Sequence, residues 1–332
     1  MPTLDRITIY PVKSLDGVDV TKARVLPGGG LENDRRWQLV DMEGRVFNAK
    51  RSPLLHAVRA EYDLADPAGT ESMAGGGLTR PGANMITLAI DPATVAARAI
   101  PGVERLAGLP ADTFPLVPGP DGPCGWLAEA FGLPVLLLER AGGGFPDDRD
   151  AAGPTVISTA TLAEVAKWFR IDVDECRRRF RANLEFGGCH AFWEDSLASP
   201  ARPELQPSLG DLPPDLPADP YADLPPPEPR EFAVGEVRLR ATNVCRRCVV
   251  PSRDSRTGAV TGQFRDVFEA WRGRTLPADV DASSWGMLYR LGINTRSINL
   301  AEKLAEKLAV GDRLGVVAAG HSGGSGTLRA GL

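Results

Sequence analysis

The sequence predicts a β-rich α+β protein, and three observations carry that prediction. Its 332 residues hold 29 prolines and 36 glycines. Short runs of β-branched and aromatic residues sit between those turn-formers, and only a few stretches place apolar residues at helical spacing. The length allows two domains, since a domain commonly takes about 100–200 residues, and a 43% hydrophobic content is enough for a sizeable core.

The elements follow in order. RITIYPV (6–12), ARVLP (23–27), RWQLVD (36–41) and LLHAVRAEYDL (54–64) read as strands, with MEGR (42–45) as the turn after Asp41. CGWLAEAFG (124–132) and TLAEVAKWF (161–169) read as helices, and Asp172 or Asp174 is placed to cap a further helix through ECRRRF (175–180). RANLEF (181–186) returns to extended character. Residues 211–229, DLPPDLPADPYADLPPPEP, sustain neither a helix nor a central strand and are expected to form an exposed insertion. EVRLRATNVC (236–245) and RLGVVA (313–318), the latter after the turn VGD, complete the strands. The tail GHSGGSGTLRAGL is Gly/Ser-rich and expected to be mobile. No internal repeat is present.

A formal charge of -5 argues against whole-molecule attraction to nucleic acid or an anionic membrane, so any anionic ligand has to be met by a local basic patch. The N-terminus MPTLDRITIYPVKS lacks a basic region followed by a long apolar run, and no window of about 18 apolar residues occurs; a cytoplasmic location is the expectation. Five cysteines, at 124, 176, 189, 245 and 248, do not make a disulfide framework, so reduced thiols are expected.

Cys245 and Cys248 form a C-x-x-C pair enclosing Arg246 and Arg247. The pair is half of a tetrahedral zinc site, but no second half exists in the chain. A thioredoxin-like dithiol needs a helix after the first thiol, and the VVPS that follows is broken by proline. Two small core residues beside exposed arginines is the plainest reading. The arginines nevertheless favour thiolate, the form that attacks disulfides or ligates metals. GHSGG (320–324) matches the nucleophile-elbow pattern, yet no helix and no later histidine follow it. The glycine runs at 28–30 and 142–144 lack a phosphate-loop context and read as turns.

Four stretches, ITIYPVKSLDG, LENDRRWQLVD, FRANLEFGGCHAFWEDS and CRRCVVPSRDSRTGAVTG, occur in one order. In that order the sequence resembles proteins with an N-terminal β domain followed by a molybdenum cofactor sulfurase C-terminal (MOSC) domain, in the bacterial branch related to the mitochondrial amidoxime reducing component. The resemblance spans residues 4–317 apart from the Pro-rich insertion. It implies a MOSC-associated N-terminal β domain over 1–120, a MOSC β-barrel domain with a few helices over 121–318, and a tail over 319–332.

The resemblance further implies a molybdenum-molybdopterin cofactor with Cys248 as protein ligand to the metal. Lys13, Ser14, Arg35, Arg181, Asn183 and Arg247 would meet the pterin and its phosphate. Asp254 would shape the loop beside the metal, or act in proton transfer. The residue types suit that chemistry, because phosphate and dithiolene are anionic and thiolate is a soft ligand. Relatives often carry a hydroxyl pair where this chain has Pro251 and Ser252, and a tryptophan where it has Leu197. The implied activity is reduction of N-hydroxylated or N-oxide-type small molecules. The chain carries no Cys-rich ferredoxin-like segment and no nucleotide fingerprint, so a separate flavin or iron–sulfur electron donor is expected. A different class stays open: a sulfur carrier with a persulfide on Cys248, or a non-catalytic cofactor-binding protein.

Overall fold

The structure, a computed structural model, describes residues 1–65, 83–198, 230–277, 280, 282, 285–298 and 307–316. The Pro-rich stretch 211–229 and the tail, with its GHSGG motif, lie outside the described residues. The fold is α+β and β-rich.

The first part of the chain runs β1 (Thr3–Ile9), β2 (Val18–Val20), β3 (Lys22–Arg24), β4 (Trp37–Val40), a 3-10 turn (Pro53–Ala57), β5 (Val58–Asp63), β6 (Met85–Ile90), α1 (Pro92–Ala97), β7 (Asp112–Pro115), α2 (Cys124–Phe131) and β8 (Leu136–Glu139). The second part runs β9 (Val156–Ser158), α3 (Thr159–Phe169), α4 (Val173–Phe180), β10 (Leu184–Gly187), α5 (Asp195–Ala198), β11 (Glu231–Val234), β12 (Val237–Arg246), a 3-10 turn (Val250–Ser252), α6 (Phe264–Thr275), β13 (Arg290–Ser297), β14 (Lys307–Ala309) and β15 (Leu314–Val316).

Eight strands form one sheet in the order β15-β11-β12-β13-β9-β10-β1-β2. Only the β9–β10 pairing within it is parallel. The sheet curls back on itself: Thr3 bridges Arg313, and Leu4 N–H donates to the Asp312 carbonyl at 2.8 Å, joining β1 to the turn before β15. Closure of this kind removes exposed strand edges. β4 pairs β8, β14 pairs β3, and β5-β6-β7 form a further antiparallel sheet. These pairings cross the expected boundary at residue 120, because β1 lies beside β10 and β3 beside β14. One core gathers residues such as Trp37, Leu39, Val58, Ile86 and Leu127, a second Leu4, Ile7, Phe186, Phe232 and Ile293, and a third, under α3, α4 and α6, Cys176, Phe180 and Phe268.

Local chemistry moves several element boundaries. In β1 both Leu4 and Ile7 are fully buried, which strict alternation forbids; a register shift between Leu4 and Arg6 reconciles them. The strand expected to reach Val12 ends at Ile9, because Pro11 has no N–H and the Tyr10 N–H is taken by the Asp34 carboxylate at 2.8 Å. The run 54–64 is not one strand: Pro53 opens a 3-10 turn and extended pairing begins only at Val58. Asp172 caps α4, accepting from Glu175 N–H at 2.6 Å. Arg181 closes that helix in the left-handed region at φ 53°, so the expected extended run at 181–186 is a strand only from Leu184. The two glycine runs are turns, and they lie against each other: a Cβ on Gly28 would sit 2.9 Å from the Gly142 carbonyl. That close approach sets residues 142–147 beside Arg35. β6, β7, β8, β9, β13, α1 and α6 had no counterpart in the sequence reading.

Candidate functional site

A cavity of about 760 Å³ is walled by both parts of the chain: the turn after β1, residues 34–35, 48–59 and 143–155, the polar face and end of α4, and the segment leaving β12. Its wall carries thirteen lysines and arginines against six aspartates, on a protein of net charge -5. The basic patch an anion requires therefore exists locally.

Cys248 and Cys245 both line this cavity, and all five cysteines are free thiols. The segment after Cys248 is a single 3-10 turn rather than a helix. Among the described residues no group of three His, Cys, Asp or Glu side chains could hold a metal ion. Arg247 also lines the cavity, but much of its guanidinium is engaged: it donates to the Phe180 carbonyl at 2.8 Å and to the Leu291 carbonyl. It thereby ties the end of β12 to β13 and to the end of α4.

Lys13, Ser14 and Arg35 also line the cavity. Ser14 and Arg35 have φ of 75° and 48°, and Arg181 shares that left-handed conformation. Three of the eight non-glycine residues with positive φ are thus expected cofactor contacts. Each costs about 1–2 kcal/mol relative to ordinary backbone. Arg35 is held by Asp34 and donates to Asn183 Oδ1 at 3.2 Å. Burial opposes its charge, yet Asp34 and Asp147 raise its pKa above the ordinary guanidinium value. Lys13 pairs with Asp147 at 2.8 Å and donates to the Phe145 carbonyl at 3.2 Å.

Two expected residues stand behind the cavity wall instead of on it. Asn183 is buried, and every polar valence it has is used within the protein. Its amide donates to the Thr8 carbonyl and to Asp34, while its oxygen accepts from Thr155 N–H and Arg35. It positions Arg35 and does not reach the cavity. Asp254 is likewise not in the lining. Its carboxylate accepts from Arg256 N–H, Thr257 N–H and the Thr257 hydroxyl at 2.7–3.0 Å, closing its own loop. Burial pushes its pKa up, but these hydrogen bonds, with Arg179 nearby, bring it below the ordinary range. That geometry closes the Asp254 loop on its own carboxylate.

The three arginines of α4 and the one that ends it differ sharply. Arg177 pairs with Glu185 at 2.6 Å, Arg178 with Glu175 at 3.0 Å and Arg179 with Glu175 at 2.6 Å. Arg181 has no hydrogen bond or carboxylate partner among the described residues; its guanidinium lies 4.0 Å from the centre of the Tyr10 ring. Burial, followed by repulsion from Arg35, lowers its pKa. Tyr10, pushed up to about 12 by burial despite both arginines, stays protonated beneath them.

Sequence reasoning missed Tyr10, Asp34, His56, Arg59, Asp147 and Arg253, all of which line the cavity. Tyr10, Asp34 and Arg253 carried a signal, lying in ITIYPVKSLDG, beside Arg35 in NDRRW and beside Asp254 in PSRDSRTG. His56 was hidden inside an apparent strand, and Asp147 follows a glycine turn that suggests nothing.

Residues 1–101 match the family model for the MOSC N-terminal beta barrel domain. The chain is 26% identical over 211 residues to a molybdenum cofactor sulfurase of Drosophila yakuba, covering 58% of this chain and 24% of that protein. A molybdenum cofactor sulfurase of Danio rerio is 27% identical over 219 residues, with 58% and 25% covered. One from Oryza sativa subsp. japonica is 43% identical over 61 residues, 18% of this chain and 7% of its own length. The chain spans about a quarter or less of the length of these relatives. No helix among the described residues is long and apolar enough to cross a membrane.

Proposed function

We propose that this chain is a molybdenum-cofactor-dependent oxidoreductase that reduces N-hydroxylated or N-oxide-type compounds by oxygen-atom removal. The observation that carries the reading is Arg181, an unpaired cation in the wall of a cavity that also holds a cysteine thiol. A desolvated charge without a partner is costly unless an anion joins it. A phosphate-bearing pterin is such an anion, and a thiolate suits molybdenum as a soft ligand. The residues present fit the group.

In this reading Arg181, Lys13 and Arg35 hold the phosphate and Cys248 ligates the metal. When bound, the cofactor supplies a two-electron couple and a place for oxygen-atom removal. The protein's own share is positioning. Asn183 and Asp34 fix Arg35, Tyr10 carries Arg181 on its ring face, and Arg247 pins the strand end that presents Cys248. Two electrons return from a separate flavin or iron–sulfur donor.

The similarity to molybdenum cofactor sulfurases favours a second reading, sulfur handling. There the Cys248 thiolate takes the outer sulfur of a persulfide donor, which leaves as a thiol, and passes it to a metal or cofactor.

One experiment separates them. The full chain is purified from a host that makes the cofactor, and molybdenum content, absorption spectrum and sulfane sulfur are measured, followed by an amidoxime reductase assay with an artificial donor. Near-stoichiometric molybdenum, retained in Cys245→Ser and lost in Cys248→Ala, is the result expected. Sulfane sulfur on Cys248 without molybdenum selects the second reading. Metal lost from Cys245→Ser but kept by Cys248→Ser overturns the ligand assignment.

A further inference from the structure

At one corner of the cavity the 3-10 turn Pro53–Ala57 and the start of β5 meet the loop that follows Cys248. His56 lines this corner, and its Nε2 is buried with no hydrogen-bond partner. Arg59, three residues on, also lines it, and its Nε faces the Asp91 carboxylate at 3.8 Å. The rest of Arg59 is anchored: it donates to the His56 carbonyl at 2.6 Å and pairs with Asp16 at 3.3 Å. Arg253 donates to the Ala49 carbonyl at 2.6 Å and has no carboxylate partner among the described residues. Leu55, Val250 and Pro251 supply apolar lining.

Buried polar atoms in native proteins nearly all have partners, so an unpartnered ring nitrogen of His56, on a cavity wall shared with an arginine that has no carboxylate partner among the described residues, marks a place where something else belongs. Burial first, then Arg253, Arg59 and Arg181, push the His56 pKa down to about 4, so its imidazole is neutral at neutral pH and offers one N–H. One neutral imidazole and the Arg253 guanidinium, which has no carboxylate partner among the described residues, match a planar, singly charged group better than a phosphate dianion, for which the cluster at Lys13, Arg35 and Arg181 is better charged. The apolar lining calls for an organic body on that group. Val250 stands two residues from Cys248, so their Cα atoms are at most about 7 Å apart. The corner therefore adjoins the reacting end of the cavity.

We infer that His56 and Arg253 form a subsite for the carboxylate of a small organic acid, whose apolar part lies on Leu55, Val250 and Pro251. This rests on the reading above only in making that acid the substrate class; the binding site itself needs no cofactor.

The test titrates the full chain with benzoate and with benzamide, followed by calorimetry and by the ring-nitrogen NMR signals of 15N-histidine. Benzoate is expected to bind at least tenfold more tightly than benzamide and to shift the His56 signals. His56→Phe and Arg253→Met should each weaken benzoate about tenfold, His56→Gln should retain most of the affinity, and Lys13→Ala should leave it within threefold. Equal binding of the two probes, unshifted His56 signals, or full benzoate affinity in folded His56→Phe overturns the inference and means that only water completes the His56 nitrogen. Molybdenum content of the same variants is read separately. Its absence from every preparation, with benzoate still bound, defeats the proposed function and leaves the subsite standing.

Discussion

Two stretches of the cavity wall, meeting at the Tyr10 ring that carries both Arg35 and Arg181, are built on opposite principles. On the wall of Lys13 and Arg35 every cation has an anion from the chain: Asp34 and Asp147 neutralise, while Asn183 locks the geometry with four hydrogen bonds. On the wall of Arg181, Arg253 and His56, charges and donors are left over. The first wall is complete in the free protein, whereas the second is complete only with a ligand. Backbone strain at Ser14, Arg35 and Arg181 is carried on both sides, so strain alone does not distinguish them.

The largest difference should appear in the stability of the free chain. Arg35→Met leaves the Asp34 carboxylate, with only 10% of its side chain exposed, without its cation. A loss of about 3 kcal/mol is expected in urea unfolding, because breaking a buried pair strands a charge. Arg181→Met strands nothing and removes an uncompensated cation, so free-chain stability should stay within about 0.5 kcal/mol. Equal losses in the two variants would erase the distinction between the walls.

The next effect is on cofactor retention and runs the other way. Arg181→Ala should lower molybdenum content on purification by about tenfold, since a charge-assisted contact to phosphate is lost. Asp254→Ala, which loosens only its own loop, should lower it much less. Equal occupancy in the two would remove Arg181 from the phosphate site.

A smaller effect tests Asp147, the chain's own anion on Lys13. Its side chain is 68% exposed. Burial pushes its carboxyl up, but Arg35 and Lys13 outweigh that and bring it to about 2. An incoming phosphate has to share those cations with it. Asp147→Asn should tighten inorganic phosphate binding about two- to fivefold, the worth of an exposed ion pair. Weaker binding in the variant would make Asp147 a support for Lys13 rather than a competitor.

The two walls were also unequally legible in the sequence. Lys13, Arg35, Arg181 and Cys248 sit in motifs at the ends of strands and helices, where the pattern of residues survives in one dimension. Helices α2 and α4 announced themselves through periodicity and through Asp172. His56 did not, because a proline converts what alternation suggests is a strand into a 3-10 turn and changes the direction of its side chain. Asn183 was legible as important but not as a support, since only packing shows that its side-chain valences are used internally, whereas for Asp254 a loop-shaping role was already one of the two expected. β9 has three residues, all buried, and takes its place in the sheet from its neighbours, so nothing in its composition marks it. Asp147 depends on two glycine runs, distant in sequence, approaching backbone to backbone.

The smallest difference at neutral pH, in fact none, is expected from His56→Asn, and it grows on acidification. His56 titrates near 4 in the folded chain against an ordinary value of 6.5. Between those values the unfolded chain binds a proton that the folded chain refuses, so stability falls as pH drops from 6.5 and the loss is complete below 4. Wild type and His56→Asn should therefore have similar pH dependence above pH 6.5, and the wild type should lose more stability between 6.5 and 4. The comparison is made by thermal unfolding at a series of pH values, taking the difference between the two proteins so that other titrating groups cancel. A saturating organic carboxylate should reduce the contrast: a bound anion beside Arg253 favours the imidazolium and raises the His56 value toward 6.5, shrinking the wild-type acid loss while leaving the variant unchanged. If carboxylate leaves the wild-type curve where it was, the donors of the second wall have no anionic partner, and the two walls differ only in how the protein solvates them.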